Sequence, residues 1–211
     1  MTRRALAAAV VAGAGVVLRW WYLRWGATAE EVRTVLPGDQ LMADADLTAT
    51  RAITVRTTAE QVWPWLAQLG QGRGGFYSYD RLENLVGCDI HSADRVAPQW
   101  QSIDVGDDVR LHPDMGFVVA QVEPERALVL RGGVPMGGAP PPYDFTWSFV
   151  LREDLDGTTR LLVRERYSYC RWWSALLVEP VELVSAVMSQ RMLRGIRDRA
   201  ERERSTCRGR I

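Results

Sequence analysis

The order of its elements predicts an α+β fold for this chain, a curved antiparallel sheet wrapped around a long C-terminal helix, with an extra hydrophobic helix at the N-terminus. Three observations lead there. Between residues 108 and 169 five strand-length segments follow one another, most of them joined by short turns, and short connections favour an antiparallel meander. From Val181 to about Arg204 apolar residues recur at 184, 188, 192 and 196, a spacing that belongs to a helix. One strand and two short helical patterns precede the run. A single curved sheet with a long helix laid across it buries the apolar side of both. Because such a sheet bends away from the helix, an apolar cavity is expected between them.

The N-terminal segment, residues 1–25, opens with Arg3-Arg4 and an uncharged run from Ala5 to Leu18, followed by Arg19-Trp-Trp-Tyr-Leu-Arg-Trp25. The run is marginal for a hydrocarbon layer about 30 Å thick. Snorkelling by Arg19 and the interfacial preference of Trp20, Trp21 and Trp25 extend it. An uncleaved membrane anchor is the leading expectation, with a cleaved signal and a helix packed on the domain as alternatives. Residues 26–47 read as a short helix at Thr28–Val35 and a linker, closed by the Pro37-Gly38-Asp39 turn.

The domain itself is expected over 48–204, with 205–211 a tail. Leu47 to Arg56 alternates as a strand, with Ile53 and Val55 on one face. Thr58 can cap a helix from Ala59 to Leu69, whose Val62, Trp63, Leu66 and Leu69 share a face. Glycines at 70, 72, 74 and 75 then stop the helix and aim Phe76, Tyr77 and Tyr79 somewhere specific. A second short helix runs from Tyr79 to Val86. Strands follow at Asp108–Leu111, Gly116–Val122, Ala127–Arg131, Asp144–Leu151 and Thr159–Tyr169. The Gly- and Pro-rich stretch 132–143 is irregular.

Composition sets limits. With 211 residues, 47% hydrophobic and 25% charged, the chain can bury one full core. Its formal net charge is +0, so no global field draws it to nucleic acid or anionic lipid. All 26 basic residues are arginine, which points to GC-rich coding rather than to phosphate sites. Cys88, Cys170 and Cys207 fit neither a disulfide framework nor a zinc pattern. A reducing compartment is favoured, so the domain is placed in the cytoplasm, membrane-associated through its anchor.

The element order, the segment Thr58-Ala-Glu-Gln-Val-Trp-Pro-Trp-Leu66 and the terminal helix resemble the SRPBCC superfamily over roughly residues 45–204. This is the START, pollen-allergen and polyketide-cyclase-like group, which shares the helix-grip fold. Gly70-Gln-Gly-Arg-Gly-Gly-Phe-Tyr-Ser-Tyr-Asp80, Asp89-Ile-His-Ser-Ala-Asp94 and Gly133-Val-Pro-Met-Gly-Gly138 resemble an actinobacterial, membrane-linked branch of it. The resemblance implies a ligand cavity but no fixed chemistry.

Strand faces select the site residues. Leu161, Val163, Glu165, Tyr167 and Tyr169 share one face of the last strand, and Phe145, Trp147 and Phe149 one face of its neighbour. Glu165 then points into an apolar cavity and needs a partner, for which Arg131 is the candidate. Trp63, Phe76 and Tyr77 complete the expected lining. Tyr77, Tyr79, Asp80, Asp89 and His91 form a second cluster. Tyr77, Tyr79 and His91 with Glu165 would be the catalytic set of an enolate-type enzyme; ordinary caps and rim packing explain the cluster equally. Cys88, Asp89 and His91 are too few for a metal shell, and no cofactor is expected. Phosphate recognition by Arg73 stays open. Arg171 to Val178 reads as a gate, a membrane contact or a buried lead into the last helix.

These readings converge on a carrier or sensor that holds a hydrophobic small molecule or lipid at the membrane. The alternatives are a polyketide cyclase- or dehydratase-like enzyme and a protein-interaction module. Nucleic acid is not an expected partner, and oligomeric state is left open.

Overall fold

In a computed structural model, residues 3–113, 115–132 and 141–208 are described. Helix α1 (Arg3–Leu23) and the short α2 (Ala29–Arg33) precede strand β1 (Leu47–Val55). Helices α3 (Ala59–Ala67) and α4 (Asp80–Leu85) lead to β2 (Asp108–His112), β3 (Met115–Glu123), β4 (Ala127–Gly132), β5 (Tyr143–Glu153) and β6 (Thr159–Tyr169). The long α5 (Ser174–Arg208) closes the chain. The six strands form one sheet in the order β1-β6-β5-β4-β3-β2, antiparallel at every junction. Register shifts in the β2–β3 and β3–β4 pairs bend it on that side, since a bulge raises the local twist. The expected α+β architecture is present. The Gly133 motif lies outside the described residues.

Period-two alternation sorts the two faces of the sheet. Ala49 and Val55 of β1, Phe145, Trp147, Phe149 and Leu151 of β5, and Leu161, Val163 and Tyr167 of β6 join the main core beneath α5. On the opposite face Ala52, Val150 and Leu162 meet Leu36 in a second, small cluster. The segment after α1 covers that side. A capping box between Thr28 and Glu31 starts α2, and Arg164 ties Asp39 and the carbonyls of Glu31, Val32 and Thr34 to the sheet.

Three helical expectations shift. In α3 the fully buried indole is Trp65, beside Val62, Leu66 and Leu69, while Trp63 is half-buried. Helix α5 begins seven residues before Val181 and runs through Pro180, so Arg171 to Val178 is the end of a turn and the start of that helix. Its buried stripe is Val178, Glu182, Ala186, Ser189, Leu193, Ile196 and Ala200. The expected stripe started on Val184, which is exposed.

Helix α1 also differs from a membrane span. No helix among the described residues is long and apolar enough to cross a membrane, and the anchor expected over 1–25 finds no support. The uncharged run Ala5–Leu18 is about 21 Å long at 1.5 Å per residue, short of the hydrocarbon thickness. Arg19, expected to snorkel, is paired with Glu179 of α5 at 2.6 Å. The end of α1 is part of the core, with Tyr22 and Leu23 buried.

Candidate functional site

A cavity of about 460 Å³ lies between the concave face of the sheet and α5. Phe76, Ile90, Leu111, Phe117, Phe145 and Trp147 form its apolar wall. The aromatic rings brace one another: Phe76 stacks on Trp147 with centroids 5.8 Å apart, and Phe117 tilts against Phe145 at 5.1 Å. Val86, Val181 and Val184 line it too and are exposed, which places its opening between α4 and α5. A volume of this size suits a small-molecule ligand.

One end of the cavity is polar. Glu165 of β6 reaches it and is 1% exposed. Ala49 lies directly opposite Glu165 across the β1–β6 pair and Arg51 opposite Val163, so Arg51 is the diagonal neighbour of Glu165 on the same face. Arg51 Nη1 donates to Glu165 Oε1 at 2.9 Å, Nη2 donates to Glu182 of α5, and Nε donates to the Tyr22 carbonyl at 3.0 Å. The Ser189 hydroxyl donates to Glu165 Oε1 at 2.8 Å, and the Ser185 hydroxyl to Oε2 at 2.7 Å. The Tyr167 hydroxyl donates to Oε2 at 3.4 Å. Arg51 and Glu182 are 0% exposed. Such an ensemble survives burial because its charges are paired and hydrogen-bonded.

Two carboxyl groups share one guanidinium, and this sets the protonation. Burial, then the nearby Glu165 charge, pushes Glu182 up to about 8, against the pull of Arg51. Burial pulls Arg51 down, but the two glutamates outweigh it and its pKa ends raised. Burial and Glu165 hold the Tyr167 phenol well above its ordinary range. At neutral pH Glu182 therefore largely keeps its proton.

A second carboxyl lines the cavity from α4. Glu83 is pushed up to about 7 by burial and by Asp80, with a hydrogen bond from Ser78 opposing. Its Oε2 is buried and finds no partner among the described residues. Cys88 and His112 line the same region, and burial with the Glu83 charge raises the Cys88 thiol. His112 belongs to β2 and Glu165 to β6, four strands apart in the sheet order.

The sequence-derived site residues separate into two groups. Phe76, Phe145, Trp147, Glu165 and Tyr167 lie on the cavity. Phe149 is one layer behind, its ring 4.9 Å from that of Trp147, and Trp63 is half-buried against the core, away from the cavity lining. Arg131 is half-exposed and pairs with Asp144 at 3.3 Å, so the partner of Glu165 is Arg51 instead. Tyr77 is sealed in the core: Gln68 Nε2 donates to its hydroxyl at 2.9 Å, which itself donates to the Trp65 carbonyl at 3.1 Å. Burial drives its phenol well up. Tyr79 is exposed, and His91 is exposed beside Asp89 at 3.2 Å. Asp80 accepts from the Ser92 amide and hydroxyl, which fixes the loop after α4. Tyr77, Tyr79, His91 and Glu165 are thus not brought to one place.

The glycine loop is a structural device. Gly70 and Gly75 exchange backbone hydrogen bonds of 3.1 and 3.0 Å, and a side chain at Gly75 would meet the Ser92 backbone at 2.9 Å. The Arg73 guanidinium turns inward onto the carbonyls of Ala67, Trp100 and Ser102. Among the described residues no three His, Cys, Asp or Glu side chains are grouped to hold a metal ion.

No protein-family model matches the chain, and no curated protein sequence matches it. Among solved structures the chain is similar to the hypothetical protein jhp0584 of Helicobacter pylori, at 12% identity and a TM-score of 0.49, covering 82% of this chain and 99% of that one. Protein MLL2253 of Mesorhizobium loti is 14% identical at a TM-score of 0.42, covering 71% and 96% of the two chains. CalU16 of Micromonospora echinospora is 15% identical at a TM-score of 0.35, covering 73% and 83%. At these scores the functional reading rests on the geometry of the chain itself.

Proposed function

We propose that this protein binds a hydrophobic small molecule in the cavity between sheet and α5, as a carrier or sensor without chemical turnover. The observation that carries the reading is a mainly apolar cavity of about 460 Å³ with a hydrogen-bonded carboxylate, Glu165, at one end. Apolar walls supply affinity at roughly 25 cal/mol per Å² removed from water, and the polar end fixes orientation. Exposed Val86 and Val184 at the opening suit a ligand that arrives from apolar surroundings. The element order and the resemblance of residues 45–204 to the SRPBCC superfamily support the same reading.

Native mass spectrometry of the full chain from a bacterial host tests it. A discrete added mass in the range of a lipid or small apolar compound is the expected result. An unliganded mass, together with no binding of the apolar dye N-phenyl-1-naphthylamine, would overturn it.

One observation favours a second reading, an acid–base enzyme of the cyclase or dehydratase kind. Glu83 holds its proton up to about pH 7 on the cavity wall, the range in which a carboxyl group can both give and take a proton. In that case Glu83→Gln would abolish turnover while the dye still bound.

A further inference from the structure

We infer that the ligand of this cavity is a neutral, mainly hydrocarbon molecule that carries a hydroxyl group at its buried end, and that fatty-acid carboxylates are excluded. The inference rests on the binding function proposed above and follows from hydrogen-bond accounting at the polar end. A carboxylate has about four acceptor sites. On Glu165 they are filled by Arg51 Nη1 and Ser189 on Oε1, and by Ser185 and Tyr167 on Oε2. The three hydroxyl protons are therefore committed to Glu165. What Ser185, Ser189 and Tyr167 still offer the cavity is oxygen lone pairs. These three hydroxyls accept hydrogen bonds and give none; the Trp147 indole N–H on the wall, without a partner among the described residues, is a neutral donor.

Charge points the same way. The lining contains two carboxyl groups, Glu83 and Glu165, and among the described residues no Arg or Lys; His112 is its basic side chain. Arg51 is at hand, but its guanidinium is already spent on Glu165, Glu182 and the Tyr22 carbonyl. An incoming carboxylate would lose its water and meet acceptors with no free cation beside them among the described residues. A hydroxyl supplies the missing donor at a much smaller desolvation cost. An ammonium also brings donors, but it would have to shed its hydration shell in a mainly apolar cavity.

Displacement of N-phenyl-1-naphthylamine from the full chain at pH 7.5 by dodecan-1-ol, dodecanoate and dodecylammonium, all below their aggregation concentrations, separates these cases. Dodecan-1-ol should displace the dye at a concentration at least about tenfold below dodecanoate, the equivalent of one to two neutral hydrogen bonds. Equal or tighter displacement by dodecanoate or dodecylammonium overturns the inference while leaving the cavity reading in place. A dye that does not bind at all overturns both. In Ser185→Ala the ratio of alcohol to dye affinity should change about fivefold, since one acceptor is lost and Glu165 Oε2 is left short of a donor. An unchanged ratio in that variant overturns the assignment of the polar end.

Discussion

Replacing Glu182 with glutamine should flatten the fall in stability that the native chain shows as pH rises from 5 to 8. The folded Glu182 carboxyl titrates at about 8 against an ordinary 4.5, so the folded state binds more protons than the unfolded one between those values. Stability from this group is complete below about pH 4.5 and is lost as pH rises toward 8. At about 1.4 kcal/mol per pH decade the separation sets a ceiling of about 5 kcal/mol. Local relaxation and water penetration reduce it to about 2–4 kcal/mol. Glutamine keeps a carbonyl for Arg51 Nη2 and cannot ionise. Urea unfolding at pH 5, 6, 7 and 8 should give the native chain and Glu182→Gln similar stability at pH 5, with the variant ahead by a few kcal/mol at pH 8. Glu83 adds a slope of the same sign up to about pH 7, but it is common to both proteins. Parallel curves for the two proteins would refute the argument.

Further substitutions test the rest of the framework. Arg51→Met leaves two buried carboxyl groups without a cation and should cost about 3–5 kcal/mol in urea unfolding at pH 7. Arg131→Ala, by contrast, removes only a half-exposed pair with Asp144 and should change stability by less than about 1 kcal/mol in the same assay. In Gly195→Ala the added methyl would run into the Tyr77 carbonyl oxygen; overpacking of this kind costs about 1–3 kcal/mol, read as a drop in Tm.

Much of the sheet was legible because alternation is a strong signal. The faces of β5 and β6 follow from counting in twos, and they put Glu165 beside Phe145, Trp147 and Tyr167. The same count along β1 places Arg51 with Ile53 and Val55, which identifies the partner of Glu165 without a structure. Attention to the apolar members of that strand concealed it. Glu182 was harder to see. A helix face is drawn through its apolar residues, so an acid four residues from both Val178 and Ala186 reads as solvated until a buried arginine is known to await it. Pro180 reinforced the error by suggesting a helix start there. The Tyr77, Tyr79 and His91 cluster failed for another reason: adjacency in sequence says nothing of direction. Tyr77 has a positive φ of 58°, which turns its side chain into the core while its neighbours face solvent.

The three bonds of Arg51 give the chain's two ends a common fate. One guanidinium is gripped by the last turn of α1, by β6 and by α5, so neither terminus can detach without stranding a charge inside the protein. Cutting the chain after residue 25 would remove an acceptor and two core side chains at once, loosening β1 and the far C-terminal helix together. Hydrogen exchange should therefore find amides of α1's final turn opening in concert with those around Glu182, although the two lie some 160 residues apart along the chain, the span that also separates Arg19 from Glu179. The N-terminal helix and the terminal helix form a clasp around Arg51, at the polar end of the cavity.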